Sequence, residues 1–192
     1  LKSGLLTRVM EITDNENSLS DNMINKVQVY MKNGGLIVFD TRDLSPTNII
    51  TKNKSKEQKA LKVILKSLDL PILIKIPESH VIRRSFYLLD KLPGRYTGGD
   101  VWVEATAMNS KDGVSSVIIG GNDWASAWAK DSNYKPLHSV IPGGEKQREF
   151  SYRFGVNLVM YAMTGNYKAD QVHIKSILKR LNNKPNKTKE IE

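Results

Sequence analysis

The chain has 192 residues, 40% hydrophobic and 26% charged, which suits one globular domain with a single core. It has no cysteine, which excludes disulfides, thiolate metal sites and a cysteine nucleophile. The formal net charge of +9 fits either an anionic partner or a general richness in Lys, Asn and Ile, and the three histidines, at 80, 138 and 173, are not at ligand spacing for zinc.

Residues 1–12 read as a short helix with Leu5, Leu6, Val9 and Met10 apolar, followed by a polar loop from Thr13 to Ser18. Ser20 caps a helix running to about Asn33, with Met23, Val27, Tyr30 and Met31 on one face, and Gly34 ends it. Leu36–Phe39 is a buried strand. Asp40 to Thr51, broken by Pro46, is a loop at its carboxyl end. Ser55 and Gln58 form a capping box for a helix with Leu61, Ile64, Leu65 and Leu68 inward. Lys56, Lys59, Lys62 and Lys66 share its outer side, as on an ordinary solvated face.

Ile72–Ile76, between two prolines, is strand-like. Ser79–Asp90 opens as a capped turn and ends in Phe86-Tyr87-Leu88-Leu89. A loop marked by Pro93-Gly94 and Gly98-Gly99 leads to Val101–Ala105, which alternates and reads as a strand. With the turn Lys111-Asp112-Gly113, it forms a hairpin with Ser116–Ile119. The apolar run Ser116–Ile119 stops at Gly120-Gly121-Asn122-Asp123, and the Asn-Asp pair caps a short helix to about Ala129. Residues 130–146 are a long loop. Gln147–Met163 is the strongest helix, with Phe150, Phe154, Leu158, Tyr161 and Ala162 on one face, widened by Val159 and Met163. Thr164-Gly165 closes it. Asp170 caps a last helix with Ile174, Ile177, Leu178 and Leu181 inward. Residues 1–182 thus form one domain, and 183–192 a disordered tail.

Helices alternate with buried strands, which implies a three-layer α/β sandwich around a mainly parallel sheet. Val101–Ala105 is its expected antiparallel member. There is no Walker A loop, no G-x-S-x-G elbow and no dinucleotide-binding glycine pattern. Trp124 and Trp128, one turn apart, read as packing residues. His80 with Arg83 and Arg84 offers an anion site, or more simply a turn residue beside surface arginines. Glu149 and Arg153 are spaced to brace their helix. Asn157 stands among Val156, Leu158 and Val159, so if buried it needs hydrogen-bond partners.

Four stretches carry a resemblance: Gly34-Gly35-x-x-x-Phe39-Asp40, Ser85-Phe86-Tyr87-Leu88, Gly120-Gly121-Asn122-Asp123-Trp124 and Phe154-Gly155-Val156-Asn157-Leu158-Val159-Met160-Tyr161-Ala162. Together they resemble an uncharacterised bacterial family, domain of unknown function 4159, over roughly Ser20 to Leu181. The resemblance implies a flavodoxin-like fold of the class I glutamine amidotransferase type. It also implies a C-terminal place in a double-transmembrane protein, with the domain on the cytoplasmic side of the inner membrane. The other domains of that protein, or a protein partner, are the expected contacts. A chain starting at Leu1 without Met reads as such a fragment, and no signal peptide or apolar run long enough to span a bilayer is visible in it. The family supplies no catalytic residues, and its pattern places a strand upstream of the first helix, where Thr13 to Ser18 is polar.

In an open parallel sheet, ligands bind outside the carboxyl ends of the strands. The clusters Asp40-Thr41-Arg42-Asp43 and Gly120-Gly121-Asn122-Asp123 share one edge if their strands are neighbours. The candidate ligand-binding residues are therefore Asp40, Arg42, Asp43, Asn122 and Asp123, with Arg148 from the strong helix, and loop 130–146 as a lid. The plainer alternative is that these residues only cap a helix and pair with one another. No catalytic residue, metal ligand or cofactor is assigned. The first functional reading is a non-catalytic interaction or ligand-binding module. The second is a hydrolase or transferase working through Asp40, Asp43 and Asp123, which an acid held well above its ordinary range, or a bound metal, would favour. The third is electrostatic binding of anionic lipid or nucleic acid.

Overall fold

A computed structural model describes residues 19–42, 56–105 and 114–182, the side chains of 56–57 and 165–182 excepted. The expected helix at 1–12, the polar stretch after it, the loop 43–51, Ser55, the turn 111–113 and the tail 183–192 lie outside the described residues.

Helix α1 spans Asp21–Lys32. Its amino end is capped by the Ser20 hydroxyl, which accepts the Met23 N–H at 3.4 Å. At the other end the N–H groups of Gly34 and Gly35 donate to the carbonyls of Met31 and Tyr30, the crossed pair that closes many helices. Strand β1 is Ile37–Asp40, helix α2 Lys56–Ser67, and strand β2 Leu73–Lys75. A single 3-10 turn, Val81–Arg84, precedes strand β3, Val101–Glu104. Strand β4 is Val117–Gly120, helix α3 Trp124–Trp128, and helix α4 Gly144–Asn182.

The four strands lie in the order β1-β4-β3-β2. β1 pairs with β4 in parallel, while β4–β3 and β3–β2 are antiparallel. By pairing, the sheet is thus mixed and mostly antiparallel, not mainly parallel. β3 and β4 pair antiparallel as neighbours in chain order, with Val101 opposite Gly120, as expected of a hairpin. By direction, β1, β4 and β2 run the same way and β3 alone is reversed, as its alternation suggested.

One row across the sheet is Val38, Ile118, Val103 and Ile74, all in register. It belongs to the main apolar core with Ile82, Leu89, Trp124, Phe154, Leu158 and Tyr161. Val117 and Ile119 point to the other face of β4 and are also buried. Outside that core, α2 buries Ala60 and Ile64, with Leu68 buried just past its end, and leaves Lys59, Lys62 and Lys66 exposed.

Helix α4 runs unbroken for 39 residues, so Thr164-Gly165 does not end it. The Thr164 hydroxyl folds back to the Met160 carbonyl one turn earlier. A helical glycine costs only about 1 kcal/mol against alanine, too little to stop a helix with no proline ahead. Its inward face holds Phe154, Leu158 and Tyr161 as expected. Val159 and Met163 face solvent instead, at 40% and 69% exposure, because 100° per residue carries them past the core.

Asn157 is fully buried, and every polar atom of its amide is used. Its Oδ1 accepts the N–H groups of Phe86 (3.2 Å) and Tyr87 (2.7 Å), and its Nδ2 donates to the carbonyls of Ile82 and Tyr87, both at 2.8 Å. A helix side chain thus supplies the backbone partners that segment 82–87 would otherwise find in a sheet.

Candidate functional site at the carboxyl edge of the sheet

The parallel β1–β4 pair sets Asp40 opposite Gly120. Past that register the chain ends stay stitched together. The Thr41 N–H donates to the Gly120 carbonyl at 2.9 Å, and the Asp123 N–H donates to the Thr41 carbonyl at 3.1 Å. The apolar runs stop here because both segments turn polar, and Gly120 is required by a close approach. A β-carbon there would lie 2.3 Å from the Trp124 ring.

Asp123 occupies the cap position of α3, but in left-handed backbone (φ 56°, ψ 57°), and its side chain caps nothing. Asp40 does that work from the neighbouring strand: its Oδ2 accepts the Ala125 N–H at 2.8 Å. The other oxygen, Oδ1, is buried without a hydrogen-bond partner, and so is Asp123 Oδ2. Arg95 Nη1 stands 3.7 Å from Asp123 Oδ2, so that oxygen has a counter-charge but no hydrogen bond. Burial pushes the Asp40 carboxyl up to about 7. The N–H groups at the start of α3 oppose the rise, and the Asp123 charge adds to it. Asp40 therefore changes charge near neutral pH, where a carboxyl can give or take a proton.

The other candidate residues divide. Asn122 is buried beside the pair, with Nδ2 donating to the Leu92 carbonyl (2.9 Å) and Oδ1 accepting the Gly99 N–H (3.3 Å). Trp124 Nε1 donates to the same Leu92 carbonyl. Arg42 is exposed just past β1, and Asp43 lies outside the described residues. Arg148 sits away from the carboxyl pair, on α4. Although 3% exposed, it donates to the carbonyls of Ala127 (2.8 Å) and His138 (2.6 Å) and pairs with Glu145. It holds the loop 130–143 against α3 and α4. Trp128 packs beside it, with Nε1 on the Ser151 carbonyl. His80 opens the 3-10 turn, its Nδ1 accepting the Ile82 N–H, and Glu149 pairs with Arg153.

Several residues at this edge are not marked by sequence pattern. Gln147 is buried. Its Nε2 reaches the carbonyls of Gly94, Arg95 and Ile141, and its Oε1 accepts the Gly143 N–H. The available signal was a polar residue on the same helical face as Phe150 and Phe154. A cavity of about 360 Å³ lies on the same edge, where β2 ends, β3 begins and Asn122 follows β4; its lining includes Lys75, Arg83, Lys91, Thr97, Gly98 and Asn122. Segment 77–100 has only its 3-10 turn as regular structure, so no periodicity pointed to it.

Among the described residues no three His, Asp or Glu side chains gather as metal ligands, and no helix is long and apolar enough to cross a membrane. A family model described as domain of unknown function (DUF4159) matches residues 10–163. No curated protein matches the chain.

Proposed function

The chain belongs to the DUF4159 family, and from that premise we propose that it is a non-catalytic ligand-binding module of a membrane-tethered bacterial protein. Its site is the carboxyl edge of the sheet. The observation that carries this reading is the cavity of about 360 Å³ lined by residues from β2, β3 and the turn after β4. Cavities of this size hold small polar molecules, and this edge of an α/β sheet is where they usually bind. The absence of cysteine argues against glutaminase chemistry in a fold of the amidotransferase type, because that chemistry needs an activated thiolate. Burial of both faces of β4 supports the three-layer form of that fold.

The test is amide NMR of the purified chain titrated with a metabolite mixture. Saturable shifts at Thr97, Gly98, Gly99 and Asn122 are expected, with no ammonia released from glutamine. If those amides do not move, the edge is not a ligand site. The tether, the cytoplasmic side and contacts with other domains of the same protein rest on the family resemblance. Fractionation leaving the intact protein wholly in the soluble fraction removes that part.

A second reading is favoured by one observation: Asp40 titrates near 7 beside Asp123, each with a buried oxygen lacking a hydrogen bond. Such a pair suits a carboxylate-dependent hydrolase or transferase. Its signature is a turnover with a pH limb near 7 that Asp40→Asn abolishes. Binding at the cavity unchanged in that variant, with no turnover in either protein, leaves the first reading standing.

A further inference from the structure

We propose that the cavity holds its ligand through an anionic group, a phosphate or a carboxylate, gripped by Arg83 and Lys91; this deepens, and rests on, the reading of the edge as a ligand site. Arg83 is fixed in place before any ligand arrives. Its Nε donates to the Pro77 carbonyl at 3.1 Å, and its Nη1 to the carbonyls of Asp90 (2.6 Å) and Leu89 (3.5 Å). Nη2 has no hydrogen-bond partner among the described residues. A guanidinium anchored on one side and open on the other is organised for a planar or tetrahedral anion, with little side-chain entropy left to lose. Burial also pulls the Arg83 charge below its ordinary stability, only partly countered by Glu78 and Asp90, and a bound anion offsets that cost.

Charge around the cavity points the same way. Lys75, Arg83 and Lys91 face Asp90 and Asp100. Lys75 is already paired with Asp100 at 2.5 Å, whereas Lys91 has no ion pair among the described residues. Lys91 and the open side of Arg83 are thus the unused cationic groups. Asp90, which lines the same space, favours a ligand that also offers a hydroxyl or amine.

The wall opposite is backbone. Gly98 has φ +96°, and a β-carbon there would meet nothing within 4 Å, so that side opens onto space. The adjoining Gly99 N–H is held by Asn122 Oδ1, which keeps the wall in position without a ligand. A concave site of about 360 Å³ with two open cations selects a small molecule rather than a polyanion surface.

The experiment is an NMR titration of the full chain with inorganic phosphate, with acetate and with ribose as the neutral probe. The parent is compared with Lys91→Glu and with Lys59→Glu, the latter carrying the same charge change on the exposed side of α2. Saturable shifts of Gly98 and Gly99 with phosphate or acetate are expected, and whichever binds tighter identifies the anion. Affinity falls at least about tenfold in Lys91→Glu and stays within about twofold in Lys59→Glu. If ribose moves those amides and neither anion does, the anion assignment falls while the ligand site stands. If no probe moves them, both fall. Equal weakening in the two variants marks general surface electrostatics and overturns the assignment.

Discussion

Asp40 provides the sharpest test of how the carboxyl edge is built. Its pKa lies at about 7 in the fold against an ordinary value of 3.8. The folded protein therefore holds this proton more tightly than the unfolded chain. The stabilisation is complete below the ordinary value and is lost as pH rises through about 7. At 1.36 kcal/mol per pH unit, the full span corresponds to about 4 kcal/mol, an upper bound because other groups relax. Asp40→Asn keeps an oxygen for the Ala125 N–H and removes the charge facing Asp123. Urea denaturation of parent and variant from pH 3.5 to 8.5 should give curves that meet at the acid end, separate between about pH 4 and 7, and stay a constant distance apart above that. The variant should end about 2–4 kcal/mol more stable there, with the same m-value. Parallel curves, or a variant less stable at every pH, refute this account of the site. Stabilisation by Asp40→Asn would also mean that the charge of this acid costs the fold stability, as charges at functional sites often do.

Three further outcomes follow from single contacts. Asn157→Ala strands two N–H groups and two carbonyls of segment 82–87 and should cost about 3–5 kcal/mol in urea denaturation; Asn157→Asp, which cannot donate, should lie between it and the parent. Gly120→Ala drives a methyl into the Trp124 ring and should cost about 1–3 kcal/mol, with a changed near-UV circular dichroism signal from the tryptophan. Arg148→Met frees the carbonyls of Ala127 and His138, so trypsin should cut after Lys130 several-fold faster while cleavage elsewhere is unchanged.

Strands β1 and β4, though not their pairing, could be read from the sequence because both are short apolar runs that halt at Asp or Gly. Asn157 was visible as a lone amide in an apolar stretch, and the two tryptophans as packing residues. What stayed hidden is non-local. No local pattern says that Asp40 rather than Asp123 caps α3, since the two groups are brought together only by the sheet. Strands of three or four residues carry too little alternation to reveal their pairing, so the antiparallel majority did not show. Arg148 was expected at the ligand site as a residue of the strong helix, yet its long stem reaches inward to the carbonyls of Ala127 and His138. The cavity lies along irregular chain, where residue type alone gives no position. Thr164-Gly165 imitates a helix end, and only the continuing backbone shows that it is not one.

The cap on α3 also ties one element's existence to another's arrival. A helix of five residues cannot sustain itself in water. Its first turn is served by a carboxylate 85 positions earlier in the chain, at the end of a different strand. By this geometry the first turn of α3 gains its cap only once β1 has docked beside β4, and strand pairing before closure of that turn is the order to expect at this edge. In native-state hydrogen exchange, the Ala125 amide should open together with the Thr41 amide that joins β1 to β4, although Ala125 belongs to neither strand. Independent opening of the two would show that α3 holds its first turn by other means.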